Sequence, residues 1–68
     1  MTNAEILTIL QSDLGELYPS DTRKAYLSQC ILAAQDMIAR EGIVLGASAE
    51  DAQLVEMYAA YLVRKRAN

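Results

Sequence analysis

Apolar residues recur every three or four positions along most of the chain, and this spacing indicates amphipathic α-helices. In the first segment they cover an arc of about 160° on a helix drawn at ~100° per residue. They are Ile6, Leu7, Ile9, Leu10, Leu14 and Leu17. Thr2 and Glu5 have the spacing of a capping box. Gly15 either caps or interrupts the helix and Pro19 ends it, so the pattern predicts a helix over about residues 3–17.

The second segment predicts a longer helix over about residues 21–41. Ser20 or Asp21 caps its start, and Gly42 stops it. Its apolar side chains also lie within about 160° of the circumference at ~100° per residue. They are Tyr26, Leu27, Cys30, Ile31, Ala33, Ala34, Met37 and Ile38. Leu32 lies outside this face, among polar side chains, where a partner could contact it.

The third segment predicts a helix over about residues 49–66, opened by Ser48 and Asp51 in a variant of the capping box. Its apolar side chains spread over about 240° of the circumference at ~100° per residue. They are Leu54, Val55, Met57, Tyr58, Ala59, Tyr61, Leu62 and Val63. Two other helices are too few to cover so wide an arc, so its breadth predicts contact with a second subunit.

The connection between the second and third predicted helices contains the only stretch with β-like composition. Ile43, Val44 and Leu45 lie there between Gly42 and Gly46. Three residues are too few for a sheet, so we expect a loop whose apolar side chains fill the core. The sequence therefore predicts an all-α fold, a single three-helix domain over residues 1–68 with a short glycine-flanked loop.

The length of 68 residues makes stability a constraint on this domain. A chain of this size buries only about 60% of its unfolded surface. The hydrophobic gain of about 100 kcal/mol is then close to the cost of ordering the residues at about 1.5 kcal/mol each. Cys30 is the only cysteine and there is no histidine, which excludes a disulfide framework and argues against a zinc site. Either tight packing of three helices or assembly must supply the remaining stability.

Composition also narrows the classes of function. The net charge of −3 argues against nucleic acid as the main partner. There is neither an apolar run of about 20 residues nor a signal-peptide pattern, so we expect a cytosolic protein with no membrane contact. Glu50 and Asp51 are explained by the dipole at a helix start, and Cys30 by burial as a small apolar residue with no neighbouring cation. We therefore expect no cofactor, no metal and no catalytic set.

Four residues are candidates for an interface with another subunit or another protein, namely Leu32, Met57, Tyr61 and Val63. Leu32 and Met57 lie at or beyond the margin of the core arc of their helices, where a partner surface would meet them. Tyr61 is suited to anchor an interface, because tyrosine buries its ring and keeps its hydroxyl at the edge. Val63 belongs to the same wide apolar arc of the third helix.

The clearest charge feature is the basic cluster of Arg64, Lys65 and Arg66. In the last turn of a helix, such cations complement the helix dipole by about 0.3–1 kcal/mol each. The alternative is contact with an acidic surface or with DNA phosphates. Helical projection spreads the three residues around the axis, which argues against a flat binding patch.

The chain from Tyr26 onward resembles the small head–tail connector proteins of tailed bacteriophages, also called adaptor or head-completion proteins. In that family a helix with an alanine pair precedes a glycine loop, and a polar-capped turn leads into a terminal helix that ends in aromatic, aliphatic and basic residues. The matching positions are Ala33, Ala34, Met37, Ile38, Arg40, Glu41, Gly42, Ile43, Glu50, Asp51 and residues 57–66.

The resemblance implies a non-enzymatic virion protein at the head–tail junction, present in the host cytoplasm during assembly. Its partners would be further copies of itself in a ring, the portal protein and the tail-side neck proteins, with incidental contact to packaged DNA. One alternative is a small dimeric regulatory or antitoxin-like module that binds another protein. A second alternative is a DNA-binding regulator, which would bind duplex DNA with a steep dependence on salt.

Overall fold

The computed structural model describes residues 1–67, which form three helices joined by two loops: α1 (Asn3–Asp13), α2 (Asp21–Arg40) and α3 (Ala49–Ala67). Each helix contacts the other two, and the contact between α2 and α3 is the largest. Successive helices run in opposite directions. Asn3, at the start of α1, is hydrogen-bonded to Gln35 near the end of α2. Tyr58 contacts Glu41 just after α2, while Arg66, later in α3, contacts Cys30 earlier in α2. The all-α, three-helix prediction is confirmed.

The starts of α1 and α3 show how the sequence sets the helix boundaries. The Thr2 hydroxyl accepts a hydrogen bond from the Glu5 amide, and the Glu5 carboxylate accepts one from the Thr2 amide, which completes a capping box. At α3 only half of this arrangement forms, since the Ser48 hydroxyl accepts from the Asp51 amide. The Asp51 carboxylate instead accepts from the Gly46 amide at 2.7 Å, which holds the loop against the helix start.

The end of α1 corrects the predicted boundary, since the helix stops at Asp13 rather than near residue 17. Gly15 adopts a left-handed conformation with φ of 74°, which glycine reaches without strain. The amide of Glu16 then donates to the Gln11 carbonyl at 2.8 Å, as in a Schellman cap. Gly42, with φ of 85°, ends α2 in the same way.

An ion pair holds the loop between α1 and α2, and this loop leaves two apolar side chains exposed to solvent. The Ser20 hydroxyl caps α2 by accepting from the Arg23 amide. The Arg23 guanidinium donates two hydrogen bonds of 2.8 Å to the Glu16 carboxylate. Leu17, predicted on the apolar face of α1, is 76% exposed, and Tyr18 is 95% exposed. Because α1 ends early, Leu17 never reaches the core.

The core lies along the line where the three helices meet. Its fully buried side chains include Leu10 from α1 and Leu27, Ile31 and Ile38 from α2. The loop after α2 contributes less than predicted. Leu45 packs against the core, whereas Ile43 is partly exposed and Val44 is almost fully exposed. The expectation that this loop fills the core holds for Leu45 alone.

Candidate functional site

The wide apolar arc of α3 consists of two surfaces with different neighbours. The inner surface packs against α1 and α2. Its buried apolar side chains are Ala52, Val55, Ala59, Ala60, Leu62 and Val63. The outer stripe, formed by Leu54, Met57, Tyr58 and Tyr61, lines a shallow groove of ≈ 370 Å³. Met57 is 61% exposed and Tyr61 is 52% exposed, so the fold leaves these two side chains largely uncovered. Leu54 and Tyr58 are partly buried against the core.

Val63 does not lie on the outer stripe, so its prediction as an interface residue is wrong. Its side chain is 4% exposed and belongs to the core. The residue is two positions after Tyr61, and two steps of ~100° turn it towards the opposite side of the helix. Of the residues that the sequence nominated on α3, the structure brings Met57 and Tyr61 together on one surface.

The outer stripe has polar contacts along one edge and a cation near its end. The Tyr58 hydroxyl donates a hydrogen bond of 3.1 Å to the Glu41 carboxylate. This hydrogen bond, with the negative charge of Glu41, raises the pKa of Tyr58 above its ordinary value. The ammonium of Lys65 lies 5.7 Å from the centre of the Tyr61 ring, a cation–π distance.

Leu32 lies on a different surface, between α1 and α2. It is half-exposed and lines a groove of ≈ 280 Å³. The other residues of this α1–α2 groove are Asn3, Ala4, Leu7, Ser28 and Ile31. None of them belongs to the outer stripe, so the interface candidates form two separate apolar surfaces on one molecule.

The basic cluster makes three different intramolecular contacts rather than one patch. Arg64 pairs with Asp13 across the α1–α3 contact at 3.6 Å, while Lys65 lies over the outer stripe. Arg66 Nη1 lies 3.8 Å from the Cys30 sulfur, which corrects the expectation that no cation neighbours this buried thiol. All three basic side chains remain exposed, so a contact with an acidic surface or DNA stays a prediction.

Glu56 is a buried polar residue that the sequence reasoning missed. Its side chain is 6% exposed, and its Oε1 atom accepts no hydrogen bond. Burial, followed by a hydrogen bond with Asp13 and the charge of Asp13, raises the pKa of Glu56 to about 7, while Arg64 opposes the rise. A signal was present: Glu56 lies four residues after Ala52 and four before Ala60, which places it on the inner side of α3.

The outer stripe and the α1–α2 groove both present apolar side chains to solvent. Within residues 1–67 there is no group of three or more cysteine, aspartate or glutamate side chains that could hold a metal ion. None of the three helices is long and apolar enough to cross a bilayer, as judged over the same residues. The chain matches no protein-family model, no curated protein and no solved structure.

Proposed function

We propose that this protein is a non-enzymatic structural subunit of the head–tail connector of a tailed bacteriophage, which assembles into a ring between the portal and the tail. The observation that carries the proposal is that the closed three-helix bundle leaves two separate apolar surfaces exposed, the outer stripe and the α1–α2 groove. The resemblance of residues 26–66 to connector proteins supports the kind of assembly.

Two different surfaces on one subunit suit a ring. A contact between unlike surfaces repeats from copy to copy and closes when the rotation permits, whereas a symmetric dimer uses one surface twice. In the proposed ring the outer stripe of one copy packs against the α1–α2 groove of the next. Met57 and Tyr61 would meet Leu32, and each contact would bury side chains that the single subunit leaves in water.

The two ends of the bundle suit the portal and the tail-side neck proteins. α2 has 20 residues and separates the two loops by about 30 Å at ~1.5 Å per residue. Leu17 and Tyr18 are exposed at one end, and Val44 is exposed at the other. Arg64 lies towards the first of these ends, beside Asp13 at the end of α1, where incidental contact with packaged DNA would involve it.

Mixing two defective variants tests the ring contact. Met57→Asp removes the stripe, and Leu32→Asp removes the groove that would receive it. Each variant alone is expected to lack ring assembly while its far-ultraviolet circular dichroism stays close to wild type, because both side chains are exposed. With a fluorophore on Met57→Asp alone, an equimolar mixture is expected to move the labelled chain into heterodimers in sedimentation velocity, because the intact stripe of Leu32→Asp can still meet the intact groove of Met57→Asp. A labelled chain that remains monomeric contradicts the stripe-to-groove contact.

The phage assignment has its own test. The chain and the portal protein encoded in the same genome are purified separately and mixed. We expect the chain to sediment with the portal. The double variant Leu17→Asp with Tyr18→Asp tests one end of the bundle, and Val44→Asp tests the other. The variant at the end that docks on the portal should abolish co-sedimentation. A genome without portal, terminase and capsid genes near this gene would contradict the assignment and favour a dimeric interaction module.

A further inference from the structure

The outer stripe is flanked by opposite charges in a symmetric order. Glu50 lies one turn before Leu54, and Lys65 lies one turn after Tyr61. Counted outwards from the midpoint between Met57 and Tyr58, Leu54 and Tyr61 are at equal distances. Glu50 and Lys65 are also at equal distances, each about 11 Å from the midpoint at ~1.5 Å per residue. The order is therefore acid, apolar residues and base, with its centre at residues 57 and 58.

These six positions share one side of α3. At ~100° per residue they fall within an arc of about 100°. Glu50 and Lys65 are both exposed, and the Lys65 ammonium lies against the Tyr61 ring, which places it over the stripe. The charges therefore border the apolar surface and can take part in any contact that covers it.

We propose that two copies of this chain pair through the outer stripe with their α3 helices antiparallel, related by a two-fold axis that passes between Met57 and Tyr58. In this dimer Glu50 of each copy lies at the same height as the partner's Lys65. Leu54 of each copy likewise lies at the height of the partner's Tyr61. The occupant of the stripe is thus a second copy of the same surface.

Charge complementarity selects the antiparallel arrangement. In a parallel pair, Glu50 would oppose the partner's Glu50 and Lys65 the partner's Lys65, and like charges at matching positions are destabilising. The antiparallel pair replaces both repulsions with two attractions. The neighbouring Arg64 does not disturb this balance, because it is directed to Asp13 of its own chain.

This dimer is independent of the proposed ring and would compete with it. Both contacts use the outer stripe, so a paired copy cannot offer its stripe to the α1–α2 groove of a neighbour. The dimer would keep Met57 and Tyr61 out of water until the ring contact replaces the dimer contact. Leu32 has no part in it, so Leu32→Asp is expected to leave the dimer intact while it removes the ring contact.

Cross-linking between two cysteine variants tests the direction of pairing. Glu50→Cys and Lys65→Cys are prepared separately, mixed in equal amounts and treated with a short bis-maleimide. Cys30 is fully buried, and wild-type protein serves as the control for its reactivity. We expect cross-linked dimer in the mixture and almost none with either variant alone, because like positions lie about 22 Å apart at ~1.5 Å per residue. Cross-linking of either variant with itself, or no cross-link in the mixture, overturns the proposal.

A charge exchange provides an independent measurement. Lys65→Glu should weaken the dimer about tenfold, because two exposed ion pairs become two repulsions. The double variant Glu50→Lys with Lys65→Glu should restore a dissociation constant close to wild type, measured by sedimentation equilibrium. Both positions are exposed, so helical content should not change in either variant. A double variant as weak as Lys65→Glu alone would overturn the pairing.

Discussion

One pair of neighbouring residues on the inner and outer sides of α3 reverses the usual distribution of polar and apolar side chains. Glu56 and Met57 are adjacent in the sequence, yet the carboxyl side chain is 6% exposed and the methionine is 61% exposed. Their positions around the helix axis decide this, because α1 and α2 both pack on the side that carries Glu56. At this one pair of positions, which side of the helix has neighbours overrides hydropathy.

Each side of α3 shows how it accommodates the unfavourable residue. Ala52 and Ala60 are small and lie one turn on either side of Glu56, on the buried side of the helix. Asp13 interacts with the Glu56 carboxyl from the end of α1, which favours the protonated acid. On the outer side no further element packs against Met57 within residues 1–67. On the inner side, the buried Glu56 therefore lowers the free energy of unfolding. On the outer side, the uncovered Met57 is open to a partner.

The largest effect is expected from placing the same charge on either side of α3. Val55 is 2% exposed, and Val55→Asp would bury a carboxylate without a partner, at a cost of several kcal/mol. A domain of this size has about 3–10 kcal/mol of stability in total. Val55→Asp is therefore expected to lose most of its helical circular dichroism at 25 °C.

Met57→Asp is the matched control for this substitution. Its side chain is directed to solvent, so the free energy of unfolding of the monomer should change by about 0.5 kcal/mol or less. Association should nevertheless be lost. Global unfolding of Met57→Asp would mean that Met57 belongs to the core and that the outer stripe is not a separate surface.

A smaller effect is expected from Glu56 through pH. Its pKa of about 7 in the folded chain lies above the value of 4.5 for a free glutamate. The folded state therefore holds a proton that the unfolded state releases, so this contribution is complete below about pH 4.5 and is lost as pH rises towards 7. Between pH 5 and pH 8 the free energy of unfolding should fall by about 2–3 kcal/mol. Denaturant midpoints at the two pH values measure it.

Glu56→Gln supplies the control, because glutamine keeps the shape and cannot ionise. Its unfolding midpoint should be nearly the same at pH 5 and pH 8. The other shifted groups do not interfere in this window: hydrogen bonds lower the pKa of Glu5 and of Glu16, while Tyr58 stays protonated. A pH dependence that survives in Glu56→Gln would assign the effect to another group.

Local sequence signals predicted the three helices and most of their ends. They missed the end of α1. The cap residues Thr2 and Ser48 and the stop at Gly42 depend on nearby atoms, so the sequence alone identified them. Apolar spacing extended α1 past Gly15 because Leu17 continues the pattern, although the left-handed glycine had already ended the helix.

The candidate site was predictable only in part for the same reason. Helical projection gave the full width of the apolar arc on α3, but it could not say which part of that arc faces α1 and α2. Met57 and Tyr61 on the exposed part and Val63 in the core therefore belonged to one set until the tertiary contacts separated them. Glu56 was missed because an acidic residue is expected to face solvent, whereas its position between Ala52 and Ala60 places it on the buried side.

The smallest effects are expected from the two charged neighbours of Glu56, and they should have opposite signs. Asp13→Asn removes a negative charge and supplies an amide that can donate to the Glu56 carboxylate, so the pKa of Glu56 should fall. Arg64→Ala removes the cation that lowers this pKa, so it should rise. Each change should alter the difference in unfolding free energy between pH 5 and pH 8 by about 0.5 kcal/mol, because both groups are partly exposed. Asp13→Asn should flatten the pH dependence and Arg64→Ala should steepen it, and a pH dependence that both variants leave at the wild-type value would show that desolvation alone sets the pKa of Glu56.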